Sequence, residues 1–346
     1  AYSQNSSFSG KKGLYILGSV DIPLHSDNYE RAFVSGAAVR VKWETIEPKP
    51  DQYNWSFLDS EIETARRYEK NISISILSAP SWLKDSLGAR VYKYIDKNQY
   101  HLSYGDTLTG YITWDSIYIA RYIKVIKELS DRYNAENVIS YFNLIASAFS
   151  RNLPDTLYNG SKFYKEFKYN PDTLVSKMKY VLDFYMKYFP NTPLWNSMDY
   201  VRFEPEATGK PINYVASEYS KYGIEKYPNR FGVWREDLSA CNPSEAISQS
   251  SHWFILKQNP QRNGVQMLWS VQDGAVRMNQ CNSLPKDKIS VMDSALSNGK
   301  SLGIIYYEIY QNDIEDPSLS AVFEKYSVAL TLNKIDERKS YCSDSY

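Results

Sequence analysis

The chain has 346 residues, with 40 basic and 40 acidic side chains that cancel and 43% apolar content. No Lys/Arg run exceeds two residues, which excludes the basic footprint of a nucleic-acid binder, and no apolar stretch nears the roughly 20 residues that span a bilayer. Three cysteines cannot form a dense disulfide scaffold, and His25, His101 and His252 are too scattered for a histidine-rich zinc site, so no metal or cofactor is expected.

A polar extension, residues 1–12, precedes the first predicted strand, Gly13 to Val20. Ala37 to Trp43 is the second, an apolar run around Arg40 and Lys42. A helix opens at Asn54-Trp55-Ser56; Phe57, Leu58, Ile62 and Ala65 form its apolar stripe, with Glu61, Glu63, Arg66 and Arg67 left for solvent. Asn71 to Leu77 alternates Ile with Ser and Asn as the third strand and ends at Pro80-Ser81-Trp82. Lys84 to Tyr111 is a long loop. Asp115 then starts an amphipathic helix with Ile119, Tyr122, Ile123 and Ile126 on one face. Strand four is Asn137 to Ala146, followed by a helix from Pro171 to Phe189 and strand five, Pro193 to Met198. Ile212 to Tyr222 is helical, Arg230 to Arg235 is strand six, Ser244 to Gln258 is helical and Gly264 to Ser270 is strand seven. A short helix at Met292 to Leu296, strand eight at Ser301 to Tyr310 and a closing helix at Leu319 to Leu332 complete the pattern.

Eight strands alternating with helices predict an α/β fold, a (β/α)8 TIM barrel over residues 13–333, as a single domain with a polar tail at 334–346. A doubly wound sheet would use the same alternation. It would also place a Gly-rich phosphate turn after strand one, which Gly18-Ser-Val-Asp does not supply. In a barrel the loop after strand three belongs to the C-terminal face, where such folds keep their chemistry.

The stretch with Arg40, Trp43, Glu47, Pro48, Tyr53, Trp55, Leu58 and Asp59, followed by Pro80, Trp82 and Leu83 and by Trp114-Asp115, resembles the clan A glycoside hydrolases. The likeness is to their β-galactosidase-like and family 5-like barrels. That resemblance implies a retaining hydrolase with an acid/base Glu at the end of strand four and a nucleophilic Glu at the end of strand seven. Here the sequence departs from the pattern. No carboxylate lies between Glu136 and Asp155; Leu144 or Ser150 falls where the acid should stand, after Asn143. Strand seven ends in Gln272-Asp273.

The candidate carboxylates are therefore Glu308 on strand eight, Glu236 after strand six and Asp273. Glu44 and Glu47 follow strand two, and Glu47 in its Ile-Glu-Pro turn suits loop support. A Glu308 set among Tyr306, Tyr307 and Tyr310 would have the raised pKa of an acid, or be tied structurally to a tyrosine or to Arg40. Trp43, Trp82, Trp234 and Trp269 fall near four strand ends and, with Arg40, Asn143, Gln272 and Tyr310, form a candidate saccharide-binding rim, since aromatic faces stack on pyranose C–H faces. Cys241 and Cys281 follow neighbouring strands, so a bridge between them is geometrically reasonable in an exported protein; Cys342 would remain free. Asn-x-Ser sequons at Asn5, Asn54, Asn71 and Asn159, and a start without Met, fit an extracellular or cell-surface location. Three classes stay open: a hydrolase acting on an oligo- or polysaccharide with a rearranged catalytic pair, a catalytically silent carbohydrate-binding barrel, and a structural or partner-binding surface protein.

Overall fold

The structure is a computed structural model that describes residues 8–96, 103–143, 166, 170–198, 209–244, 246–281 and 287–340. The side chains of 94, 273–276 and 332–340 are not among those described. Eight parallel strands close into a barrel: β1 (Gly13–Leu17), β2 (Val34–Lys42), β3 (Asn71–Leu77), β6 (Ile139–Asn143), β7 (Leu194–Ser197), β8 (Phe231–Leu238), β9 (Asn263–Met267) and β10 (Tyr306–Tyr310). Between β3 and the next barrel strand, β4 (Val91–Ile95) and β5 (Thr107–Tyr111) form an antiparallel ribbon. The long loop read from the sequence is thus partly a hairpin.

Around the barrel run α2 (Ser56–Arg67), α4 (Ser116–Tyr133), α5 (Pro171–Tyr188), α6 (Tyr214–Lys226), α7 (His252–Lys257), α9 (Lys288–Ser301) and α11 (Ser320–Ser340), with the short α1 (Trp43–Ile46), α3 (Trp82–Asp85), α8 (Val271–Met278) and α10 (Gln311–Glu315) between them. Local chemistry fixes where several begin. Asp115 accepts from the backbone N–H groups of Ile117 and Tyr118, Asn170 caps α5 ahead of Pro171, and Asp287 caps α9 through Ser290 N. The predicted 244–258 helix shortens to His252–Lys257, which starts on the Ser251 cap. The last helix runs on past residue 333 to Ser340.

Two cores result. Outward-facing strand residues such as Val39, Val41, Ile72, Ile74 and Ile76 pack with the helix stripes. Inside the barrel, Tyr15, Tyr141, Trp195 and Tyr306 fill the lower part with Leu17, Ala38 and Trp234. Their ring centroids lie 4.4 Å (Tyr15–Tyr306), 4.6 Å (Tyr141–Trp195) and 5.3 Å (Trp195–Tyr306) apart, and Phe8 closes the set from below, 5.2 Å from Trp195. Such bulk fits because glycine faces it: a Cβ on Gly232 would stand 2.3 Å from the Trp195 ring, and one on Gly36 2.7 Å from Tyr15. Large and small side chains alternate around a small barrel for this reason. These side chains pack the barrel up to the level of residue 306, and the candidate carboxylates stand at the strand ends above them.

Helix α2 departs from its sequence reading at one position. Glu61, expected in solvent, is 3% exposed and lies on the buried face with Leu58, Ile62 and Ala65.

Candidate active site

Alternation along each strand sends Arg40 of β2, Ser75 of β3, Asn143 of β6, Ser197 of β7, Trp234 and Glu236 of β8, Gln266 of β9 and Glu308 and Tyr310 of β10 to the interior side at the C-terminal ends. Glu308 is 2% exposed, and Tyr306, two residues before it on the same face, donates to its Oε1 at 2.8 Å. The Tyr306 hydroxyl is in turn 2.5 Å from Ser73 Oγ. Burial pushes the Glu308 carboxyl up to about 7; the Tyr306 hydrogen bond and the Arg40 charge oppose the rise, and the neighbouring Glu236 adds to it. The Trp234 indole N–H also favours the ionised form, although it falls outside regular hydrogen-bond geometry.

Arg40 is held at the mouth by its own loop: Nε and Nη2 both donate to the Gly18 carbonyl, at 3.0 and 2.5 Å. Glu236 is half-buried on the interior face, whereas Arg235 points outward, pairs with Asp237 at 2.7 Å and lies over the Trp253 ring. Arg235 thus engages Asp237, and Glu236 is left on the side of Glu308. A shift of register between Arg235 and Leu238 accompanies that split.

Tyr310 extends the wall above Glu308. Gln266 Nε2 reaches its hydroxyl at 3.5 Å, and its ring centroid lies 6.0 Å from that of Trp269. Trp269 follows β9 instead of belonging to it, and the Arg277 guanidinium stacks 3.9 Å from its ring centroid. The mouth thus gathers Arg40, Asn143, Trp234, Glu236, Glu308 and Tyr310, with Trp269 beside Tyr310.

The remaining candidates stand elsewhere. Trp43 and Trp82 are 1% and 7% exposed and pack edge-to-face on each other in the helix layer. Trp43 Nε1 donates to Glu47 Oε2 and Trp82 Nε1 to the Glu47 carbonyl. Their faces are spent on that packing, which corrects their placement on the rim; β2 ends one residue before Trp43, so its side chain follows the outward set. Glu47, fully buried, also accepts from Asp51 N and pairs with Arg121 of α4, so the Ile-Glu-Pro turn is a structural lock. Gln272 is exposed in α8, where it donates to Asp316 and accepts from Lys288, away from Glu308. Asp273 lies in the same helix, its side chain outside the described ones. Helix α8, absent from the sequence reading, is turned by Asp313, which accepts from Ser270 Oγ and from the N–H groups of Val271 and Gln272. The positions of Leu144 and Ser150, like Cys342, fall outside the described residues. Gln266 was missed because strand seven, read as 264–270, was centred too far toward its C-terminal side; the strand ends at Met267.

A disulfide joins Cys241 and Cys281, whose Cα atoms lie 5.6 Å apart, and so ties the segment after β8 to the segment after α8. Among the described residues no cluster of three His, Cys, Asp or Glu side chains is arranged to hold a metal ion, and no helix is long and apolar enough to cross a membrane.

Comparison with known proteins agrees with this architecture. The glycoside hydrolase family 42 model, described as β-galactosidase, matches residues 32–145, ending just past Asn143. No curated protein sequence matches the chain. Among solved structures, the catalytic domain of β-amylase from Paenibacillus polymyxa superposes with a TM-score of 0.54 at 10% identity, over 92% of this chain and 98% of that one. β-Galactosidase from the psychrophilic Marinomonas ef1 gives 0.56 at 10% identity, over 94% of this chain and 60% of that one. β-Galactosidase from the haloarchaeon Halorubrum lacusprofundi gives 0.54 at 12%, over 92% and 58%. The chain therefore spans about three fifths of those β-galactosidases and nearly all of the β-amylase domain. Its fold is that of the clan A glycoside hydrolase-like (β/α)8 barrels.

Proposed function

We propose that this barrel binds an oligo- or polysaccharide at its C-terminal mouth and hydrolyses a glycosidic bond, with Glu308 as the proton donor and Glu236 as its carboxylate partner. The observation that carries the proposal is Glu308 itself. It is a carboxyl buried at the interior end of a barrel strand, raised to about 7, beside a second carboxylate and an arginine. A group of that kind is half protonated at neutral pH, which is the condition for giving a proton to a leaving oxygen. Glu236, half-buried and on the same face, is suited to stabilise the oxocarbenium-like centre or to activate water. Trp234, Tyr310 and Trp269 supply aromatic faces and polar edges for the sugar rings.

The test is turnover of a panel of β- and α-linked oligosaccharides by the wild type and by Glu308→Gln. Hydrolysis lost with the amide, and binding retained, supports the reading; an amide variant with full activity removes Glu308 from the chemistry. The anomer released by the wild type then tells whether Glu236 attacks carbon or activates water.

A second reading, a silent carbohydrate-binding barrel, is favoured by Asn143 and Gln266. These are neutral amides on the interior face of the fourth and seventh barrel strands, the two strands that carry the carboxylates in the proteins it resembles. It expects saccharide affinity without any product. An extracellular or cell-surface location remains part of the proposal and draws support from the Cys241–Cys281 bridge, since such bonds persist in oxidising compartments.

A further inference from the structure

Three interior side chains stand in a row at the mouth. Glu308 of β10 is aligned with Gln266 of β9, and Arg235 of β8 with Val265 of β9, so Glu236 and Gln266 each lie one step further and come level. Across β10, β9 and β8 the order is carboxyl, amide, carboxyl. Gln266 is 6% exposed, and its Nε2 turns to the Tyr310 hydroxyl, on the β10 side. The β8 member is set by a local distortion: between Arg235 and Leu238 that strand contains one residue more than β9, and Asp237 takes a φ of 78°. A non-glycine residue in that left-handed region is strained, and bulges of this kind re-aim a neighbouring side chain.

The row keeps the two acids apart. Neighbouring strands lie about 4.8 Å from each other, so β8 and β10, with β9 between them, stand roughly 9–10 Å apart across the sheet. Glu308 is also held over its own strand, because Tyr306, two residues earlier on β10, donates to its Oε1 at 2.8 Å. The charge of Glu236 acts on the Glu308 carboxyl less than that of Arg40 does, which fits a partner at the far end of the row and not one in contact. Double displacement needs carboxyl groups about 5–5.5 Å apart, whereas single displacement leaves about 6.5–9.5 Å, with room for a water. The amide in the middle stays neutral between two acids and cannot attack carbon. With Nε2 engaged, its Oε1 remains as an acceptor.

We propose that Gln266 positions the attacking water between Glu236 and the sugar, so that the glycosidic bond is cleaved in a single step with inversion at the anomeric carbon. The inference rests on the hydrolase reading and specifies its course. The water gives one proton to Glu236 and is steered through the other by Gln266 Oε1. Its oxygen bonds to the anomeric carbon as the bond to the leaving oxygen breaks, and that leaving oxygen takes the proton of Glu308. Each turnover ends with Glu236 protonated and Glu308 ionised, and exchange with solvent resets both. The resemblance to retaining hydrolases implies the opposite outcome, so the amide on the seventh barrel strand changes the stereochemistry as well as the residue.

The experiment follows the full wild-type chain by proton NMR during early turnover of the members of the oligosaccharide panel that it cleaves. The anomer released before mutarotation should be opposite to that of the bond cut. A retained anomer overturns this inference without reference to any variant and leaves Glu308 as the acid. Cleavage of no member overturns the hydrolase reading and this inference with it, so the two failures are told apart. Gln266→Ala should lower kcat by about 100-fold, the scale of a lost positioning contact, with KM little changed. Both limbs of its pH–rate profile should stay where they are in the wild type, since an amide does not titrate. Full kcat in Gln266→Ala, or a limb that moves, takes the water-positioning role away from Gln266.

Discussion

Tyr306 donates a hydrogen bond to Glu308 from two residues earlier on the same strand, and the same hydroxyl meets Ser73 on the far side of the barrel. One phenol thus links the acid of the mouth to the aromatic floor beneath. Because the bond favours the ionised carboxylate, Tyr306→Phe should raise the Glu308 pKa above its present value of about 7 and carry the alkaline limb of the pH–rate profile upward with it. A profile measured in both proteins checks this; a limb that stays put means another group controls it.

Glu308→Gln should lower kcat/KM on a cleaved saccharide by roughly 100-fold or more, the usual worth of a positioned general acid. The KM should change little. Glu236→Gln should also lose activity, and azide or formate in the assay should restore part of it if Glu236 acts at the anomeric carbon.

Stability should depend on pH through the same carboxyl. Its folded-state pKa, about 7, lies above the ordinary 4.5, so folding disfavours ionisation. The protein is then most stable with respect to this group below about pH 4.5, and the contribution is lost as pH rises through 7, by on the order of 3 kcal/mol in all. Urea denaturation at pH 5 and pH 8 should show a smaller difference for Glu308→Gln than for the wild type.

Glu47→Ala should cost on the order of 3 kcal/mol, because it strips the buried partner from Arg121 and leaves the Trp43 indole N–H without its acceptor. Gly232→Ala, which forces a methyl to within 2.3 Å of the Trp195 ring, should cost about 1–3 kcal/mol with no polar group touched. Both are read from chemical denaturation midpoints, and a neutral Gly232→Ala would mean that the floor yields more easily than its packing suggests.

Cys241→Ser with Cys281→Ser should destabilise the protein by about 4 kcal/mol, the chain-entropy value for a bridge between cysteines 40 residues apart. Thermal unfolding with and without reductant gives the same comparison in the wild type.

Much of this architecture was written in local patterns. Strand β3 matches its predicted limits, and Asp115 and Asn170 announce α4 and α5 by side-chain chemistry that acts within three residues. The site was only partly legible, for identifiable reasons. Trp43 sits one residue past a strand end, where a single step of the alternation decides between mouth and helix layer. Glu61 falls at the i+3 position from Leu58 and so on the buried face of α2 by helical period; only its acidic side chain argued for solvent. Helix α8 depends on Asp313, which arrives from beyond the next strand, so no pattern within 264–278 could have foretold it. Glu308 and Glu236 stood out because an acid among aromatics at a strand end is conspicuous in any reading.

The bridge between Cys241 and Cys281 has a mechanical meaning beyond its contribution to folding. It makes the stretches that follow β8 and α8 a single covalent flank. The two stretches therefore cannot separate from each other at Cys241 and Cys281 while the bridge is intact. Across the barrel, on β2, Arg40 is moored to one carbonyl oxygen of the Gly18 loop by two hydrogen bonds, ties that solvent, unlike the bridge, can compete for.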